Sequence, residues 1–207
     1  MAFVQLLVTS LLILVTKADV AIDIENASSD VYWIGILANP GLPIPSNGGF
    51  VLNGGQTTTV SVPDNWVGRF WARTGCDSGT NTCQTGDCRN GVECAGNGGA
   101  PPVTLVEITI KGDGGQDFYD ISLVDGFNVK ASIQPIDGTG DCSTAECESD
   151  VNAACPEQLK DGDYACYSSC AKFNTDQYCC RNELNFHSLM IIISPRVPLK
   201  FQMITVV

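Results

Sequence analysis

The side chains with chemistry to offer in this sequence are its cysteines and its acids. Eleven cysteines all fall from Cys76 onward, and 23 Asp and Glu stand against 11 Lys and Arg and a single His, for a net charge of −12. So many cysteines beside one histidine suit a disulfide scaffold in an oxidising compartment better than a zinc site or a cytosolic enzyme. The acidic balance, with no basic run, excludes nucleic acid and anionic membrane surfaces as partners, because phosphate contacts need clustered Lys and Arg. His187 has no serine motif beside it and forms no triad. Asp137-x-Thr139-x-Asp141 with Glu148 at the twelfth position imitates a calcium loop, but Cys142 stands where that loop needs glycine, so no metal site is expected. Asn26-Ala27-Ser28 is an N-glycosylation sequon at a strand end. Among the acids, Glu107 has the clearest setting. In TLVEITI the apolar Val106, Ile108 and Ile110 share one face, which puts Glu107 opposite them with Leu105 and Thr109, free to face a solvent-filled groove. Asp120 and Asp125 fall on opposite faces of an unbroken strand. They meet in one place only across a turn, which Asp125-Gly126 supplies.

The elements that must position these groups are short strands. Residues 20–26 alternate apolar and polar, residues 31–37 read as a more buried strand, and Pro40 to Gly49 form a turn-rich loop. Further strands are expected at 57–62, 68–74, 104–110, 117–124 and 128–135, a pattern that predicts a mainly β fold, a β-sandwich or barrel. At 207 residues and 44% hydrophobic content, the chain fits one compact domain with an appendage. Residues 1–18 read as a secretory signal: the apolar run is interrupted by Gln5, Thr9 and Ser10 and ended by Thr16 and Lys17, too soon for a membrane span. Residues 19–136 form the expected sandwich core. Residues 137–180 hold seven cysteines, few large aliphatics and one expected short helix around 149–159, a region that only cross-links can hold. Residues 181–207 form a different tail, whose stretch from Val197 reads either as an edge strand or as an aggregation-prone segment.

The run Cys83-Gln84-Thr85-Gly86-Asp87-Cys88, followed by Gly91 and Cys94, resembles the signature of the thaumatin-like protein family. GRFWARTGC at 68–76, the Thr-Leu-x-Glu strand at 104–107, DFYDISLVDGFN at 117–128 and a cysteine-rich block ending in Tyr178-Cys179-Cys180 match the same family in order. The resemblance covers about Asp19 to Cys180. It implies a β-sandwich with a disulfide-rich appendage and the bridges Cys76–Cys83, Cys88–Cys94, Cys155–Cys166 and Cys170–Cys179. Cys142, Cys147 and Cys180 remain, and in the family their partners lie beyond the point where this sequence stops matching. The C-terminal part is therefore expected to be missing or replaced, as a variant isoform or through a wrong exon boundary.

The resemblance also implies an acidic cleft between sandwich and appendage that binds β-1,3-glucans of fungal walls, with weak hydrolysis in some members. By motif position, Arg69, Glu107, Asp120 and Asp125 line that cleft; we assign Arg69 and Asp120 as the expected substrate-binding residues, Glu107 as catalytic acid and Asp125 as second carboxylate. A retaining glycosidase holds its two carboxyls about 5–5.5 Å apart and an inverting one about 6.5–9.5 Å apart. The implied protein is a secreted, extracellular, defence-type monomer without cofactor, with β-glucan as its partner. Two other readings stand beside it: a non-catalytic interaction protein such as a hydrolase inhibitor, and a truncated isoform without stable function. Trp71, Phe118, Tyr119 and Phe127 are the aromatics available to stack on sugar rings, with only one of Phe118 and Tyr119 expected to face away from the core.

Overall fold

The alternation in Val20–Asn26 is realised residue by residue: Val20, Ile22, Ile24 and Asn26 are buried and the three between them are partly exposed. The computed structural model describes residues 19–138, 142–179 and 181, together with the backbone of 201–206. The expected signal segment, Thr139, Asp141, Cys180 and His187 lie outside the described residues. Twelve strands are described: β1 (Val20–Asn26), β2 (Tyr32–Ala38), β3 (Gly49–Leu52), β4 (Thr57–Val62), β5 (Val67–Arg73), β6 (Leu105–Thr109), β7 (Phe118–Ser122), β8 (Ala131–Ile136), β9 (Ala145–Glu146), β10 (Lys160–Asp161), β11 (Ala165–Cys166) and β12 (Phe201–Val206). One sheet has the order β4-β1-β12-β8-β9, the other β3-β2-β5-β6-β7, and β10-β11 form a separate ribbon.

Ile22 and Ile24 of the first sheet join Ile34, Ile36, Phe70, Val106 and Ile108 of the second in one apolar cluster. Each such side chain contributes roughly 1.5–3 kcal/mol relative to exposure, and together they fix which face of every strand points inward. The fold is thus a β-sandwich, with the outward face of the second sheet left for loops and solvent.

Three features differ from the sequence-based expectation. β3 lies at the end of the stretch expected to be loop, where it forms the edge strand beside β2. The stretch near 149–159 forms two 3-10 turns, Asn152–Ala154 and Glu157–Leu159, separated by Pro156, which lacks the N–H a continuous helix needs. The α-helices of the appendage are α1 (Ser169–Phe173), capped by the Ser168 hydroxyl, and α2 (Asp176–Cys179). Finally, β12 is no edge strand: it sits inside its sheet, parallel to β1 and antiparallel to β8.

Candidate functional site

β5 and β6 pair so that Arg69 lies opposite Glu107, and β6 and β7 so that Glu107 lies opposite Asp120. Leu37 of β2 extends the same line beside Arg69. Because Phe70, Val106 and Ile108 face the core, the residues between them project from the outer face of the sheet. Arg69, Glu107 and Asp120 therefore form one lateral row on adjacent strands, at about 4.8 Å per strand step. Arg69 Nη1 lies 3.9 Å from Glu107 Oε1, and the two side chains are 36% and 39% exposed. A pair this open contributes little to stability and remains available to a ligand. Asp120 is held above the usual carboxylate range, first by the protein packed around its carboxyl and second by the charge of Glu107. Its residue surface is largely open, so water limits that shift.

Asp125 stands apart from the row. Its carbonyl accepts the Val103 N–H at 3.3 Å, and Gly126 N–H closes the turn onto the Leu123 carbonyl at 3.0 Å. Val103 precedes Glu107 by four residues, about 13 Å of extended backbone. The carboxylate that register places nearest Glu107 is thus Asp120, while Asp125 approaches from the end of the strands.

The disulfide-rich lobe holds that turn. Phe127 and Cys166 exchange backbone hydrogen bonds of 2.7 and 2.8 Å, and Ser168 Oγ donates to the Val124 carbonyl at 2.6 Å. Gly126 has φ +106°, and a Cβ there would lie 2.5 Å from the Cys166 carbonyl oxygen, so the turn fits between lobe and sheet only as glycine.

The long segment between β5 and β6 covers the outer face on the Trp71 and Leu105 side of the row. Trp71 lies across Gly35, where a Cβ would come within 2.1 Å of the indole, and is buried with Cys88, Cys94, Val103 and Leu105. Arg73 is fully buried. It donates to the carbonyls of Trp33, Ile34, Gly91 and Val92, which ties that segment to the sheet. Burial lowers its pKa to about 10, outweighing the charge of Asp87.

All four expected bridges are present: Cys76–Cys83, Cys88–Cys94, Cys155–Cys166 and Cys170–Cys179. Cys142 and Cys147 stand outside them. With β9 extended between the two, Cys142 packs against the main core and Cys147 against Phe127, Cys155 and Cys166. Among the described residues, no group of three or more His, Cys, Asp or Glu is placed to hold a metal ion.

Asn26 of the sequon has 0% exposure, and its side-chain amide donates to the carbonyls of Asp30 and Leu52. Of the four candidate aromatics, Trp71, Tyr119 and Phe127 are buried at 2%, 7% and 1% exposure, and Phe118 is half-buried. Leu37 is the member of the row that the sequence did not offer; it belongs there only through the pairing of β2 with β5.

A profile of the thaumatin family matches residues 26–189. Pathogenesis-related protein 5 of Arabidopsis thaliana is 54% identical over 165 residues, 76% of this chain and 68% of that protein. A Prunus avium protein named glucan endo-1,3-beta-glucosidase is 49% identical over 168 residues, 77% of this chain and 69% of its own. Among solved structures, the thaumatin-like xylanase inhibitor TLXI superposes with a TM-score of 0.52 at 21% identity, over 89% of this chain and 97% of the inhibitor, a likeness of fold.

Proposed function

This chain belongs to the thaumatin family, and on that premise we propose that it is a secreted defence-type protein that binds β-1,3-glucan along the row Arg69–Glu107–Asp120. The observation that supports this most is the register itself, which sets one guanidinium donor and two carboxylate acceptors side by side on an open sheet face. Sugar hydroxyls both donate and accept, so such a row meets them without needing a charge on the ligand. A chain of net charge −12 tolerates a neutral polymer and repels an anionic one. The name of the Prunus avium relative fits the same polymer. The leader expected at residues 1–18 and the four bridges fit an oxidising, extracellular setting.

Weak endo-hydrolysis belongs to the same proposal, with Glu107 as acid and Asp125 as second carboxylate.

Retention of the protein on insoluble β-1,3-glucan, with assay of released reducing sugar, tests both halves for the wild type and Glu107→Gln. Retention that Glu107→Gln abolishes is the expected result. No retention of the wild type rejects the binding site; retention without released sugar leaves binding and removes hydrolysis; turnover that survives the substitution removes Glu107 as the acid.

A further inference from the structure

The acidic row has a neighbour on the same face. Val67 lies opposite Thr109, and Thr109 opposite Phe118, so these three form a second row across β5, β6 and β7, one side-chain repeat from Arg69, Glu107 and Asp120. All three are half-buried. Tyr119 turns the other way, with its hydroxyl donating to the Ser143 carbonyl at 2.6 Å, which leaves Phe118 on the outer face. The backbone of Gly112 lies against the ring: a Cβ there would come within 2.9 Å of Phe118 Cε2. The ring is therefore held in place from one side.

Resting on the glucan reading above, we propose that the two rows form one track, with Phe118 as the stacking face, along which a glucan chain runs across the strands and occupies three sugar sites. A pyranose ring carries hydroxyls around its rim and an apolar face of C–H groups. A stripe of hydrogen-bonding side chains parallel to one that offers the Val67 and Thr109 methyls and the Phe118 ring matches both aspects at once. Each of β5, β6 and β7 contributes one side chain to either row, so the track offers three columns, one for each sugar. A chain running along β7 instead would find support on one side only, because β7 is the edge of its sheet.

Calorimetric titration with β-1,3-linked gluco-oligosaccharides of increasing length reads both parts of the proposal. Affinity should rise up to the trisaccharide and then level off. Phe118→Leu keeps apolar volume and removes the aromatic face; it should weaken trisaccharide binding roughly 2- to 12-fold, the factor an aromatic face commands beyond the area it covers. Phe118→Tyr should restore it, and thermal unfolding of both variants should match the wild type. If Phe118→Leu binds like the wild type while Glu107→Gln does not bind, the track is refuted and the acidic row survives. If affinity keeps climbing well past the trisaccharide, the chain does not cross the strands. If the wild type binds none of these sugars, the glucan reading falls and the track with it.

Discussion

Replacing Asn26 by Asp changes one side-chain nitrogen to oxygen, and its cost follows from four contacts. The Asn26 amide donates to the Asp30 carbonyl at 2.8 Å and the Leu52 carbonyl at 3.0 Å, while its oxygen accepts from Ser28 N at 3.1 Å and Ser28 Oγ at 2.7 Å. The side chain has no exposure to water. In Asn26→Asp the two donor bonds become oxygen facing oxygen, and each carbonyl left without its partner costs about 1–3 kcal/mol, so the expected loss is roughly 2–6 kcal/mol. Ser28→Ala destroys the same sequon but removes only the hydroxyl, which donates to Asn26 Oδ1 and accepts from the Asp30 N–H at 3.1 Å, at a cost of roughly 1–3 kcal/mol. A glycan would attach through the nitrogen that makes both donor bonds, so the folded protein should carry Asn26 unmodified. Urea unfolding of both variants, with intact mass of protein secreted from a glycosylating host, measures each part. A loss below about 1 kcal/mol for Asn26→Asp, or a fully glycosylated Asn26 in protein of unchanged stability, would refute the reasoning.

Other outcomes follow from single contacts. Arg73→Lys offers three donors on one nitrogen to the four carbonyls that Arg73 now binds, and should cost roughly 2–4 kcal/mol in urea unfolding. Asp120 has its carboxyl pKa raised in the folded state, so the penalty for ionising it is absent below the ordinary aspartate value and appears as pH rises through the raised one. Asp120→Asn should therefore unfold slightly later than the wild type near neutrality, by no more than about 1 kcal/mol for so open a group, and with no advantage below about pH 4. Gly126→Ala meets both the φ of +106° and the Cys166 carbonyl, and should lower the thermal midpoint by an amount equivalent to roughly 2–4 kcal/mol.

Much of the fold is legible in the sequence because it rests on local alternation. VAIDIEN and TTTVSV give β1 and β4 with their observed bounds, and Glu107 falls on the solvent face that TLVEITI assigns it. The four bridges were legible only through the family signature. What escaped depends on distant pairing. β12 becomes an inner strand because β1 and β8 leave a slot between them, which no local pattern encodes. GRFWART reads as a strand, yet the burial of Trp71 and Arg73 on its outer side comes from the covering segment that follows. The sequon at Asn26 looks like a surface motif until β3, itself hidden among glycines, supplies the Leu52 carbonyl. The same holds in the site: each acid can be read from its own segment, but the pairing of Glu107 with Asp120, and the place of Asp125 in the turn after β7, are set by register and turn.

The most direct test of the central claim is a titration of soluble β-1,3-gluco-oligosaccharide against four variants, Arg69→Ala, Glu107→Gln, Asp120→Asn and, on the other sheet, Glu25→Gln. If the row is the binding site, each of the first three weakens binding by at least several-fold and Glu25→Gln leaves it unchanged. Equal affinity across all four would contradict the account.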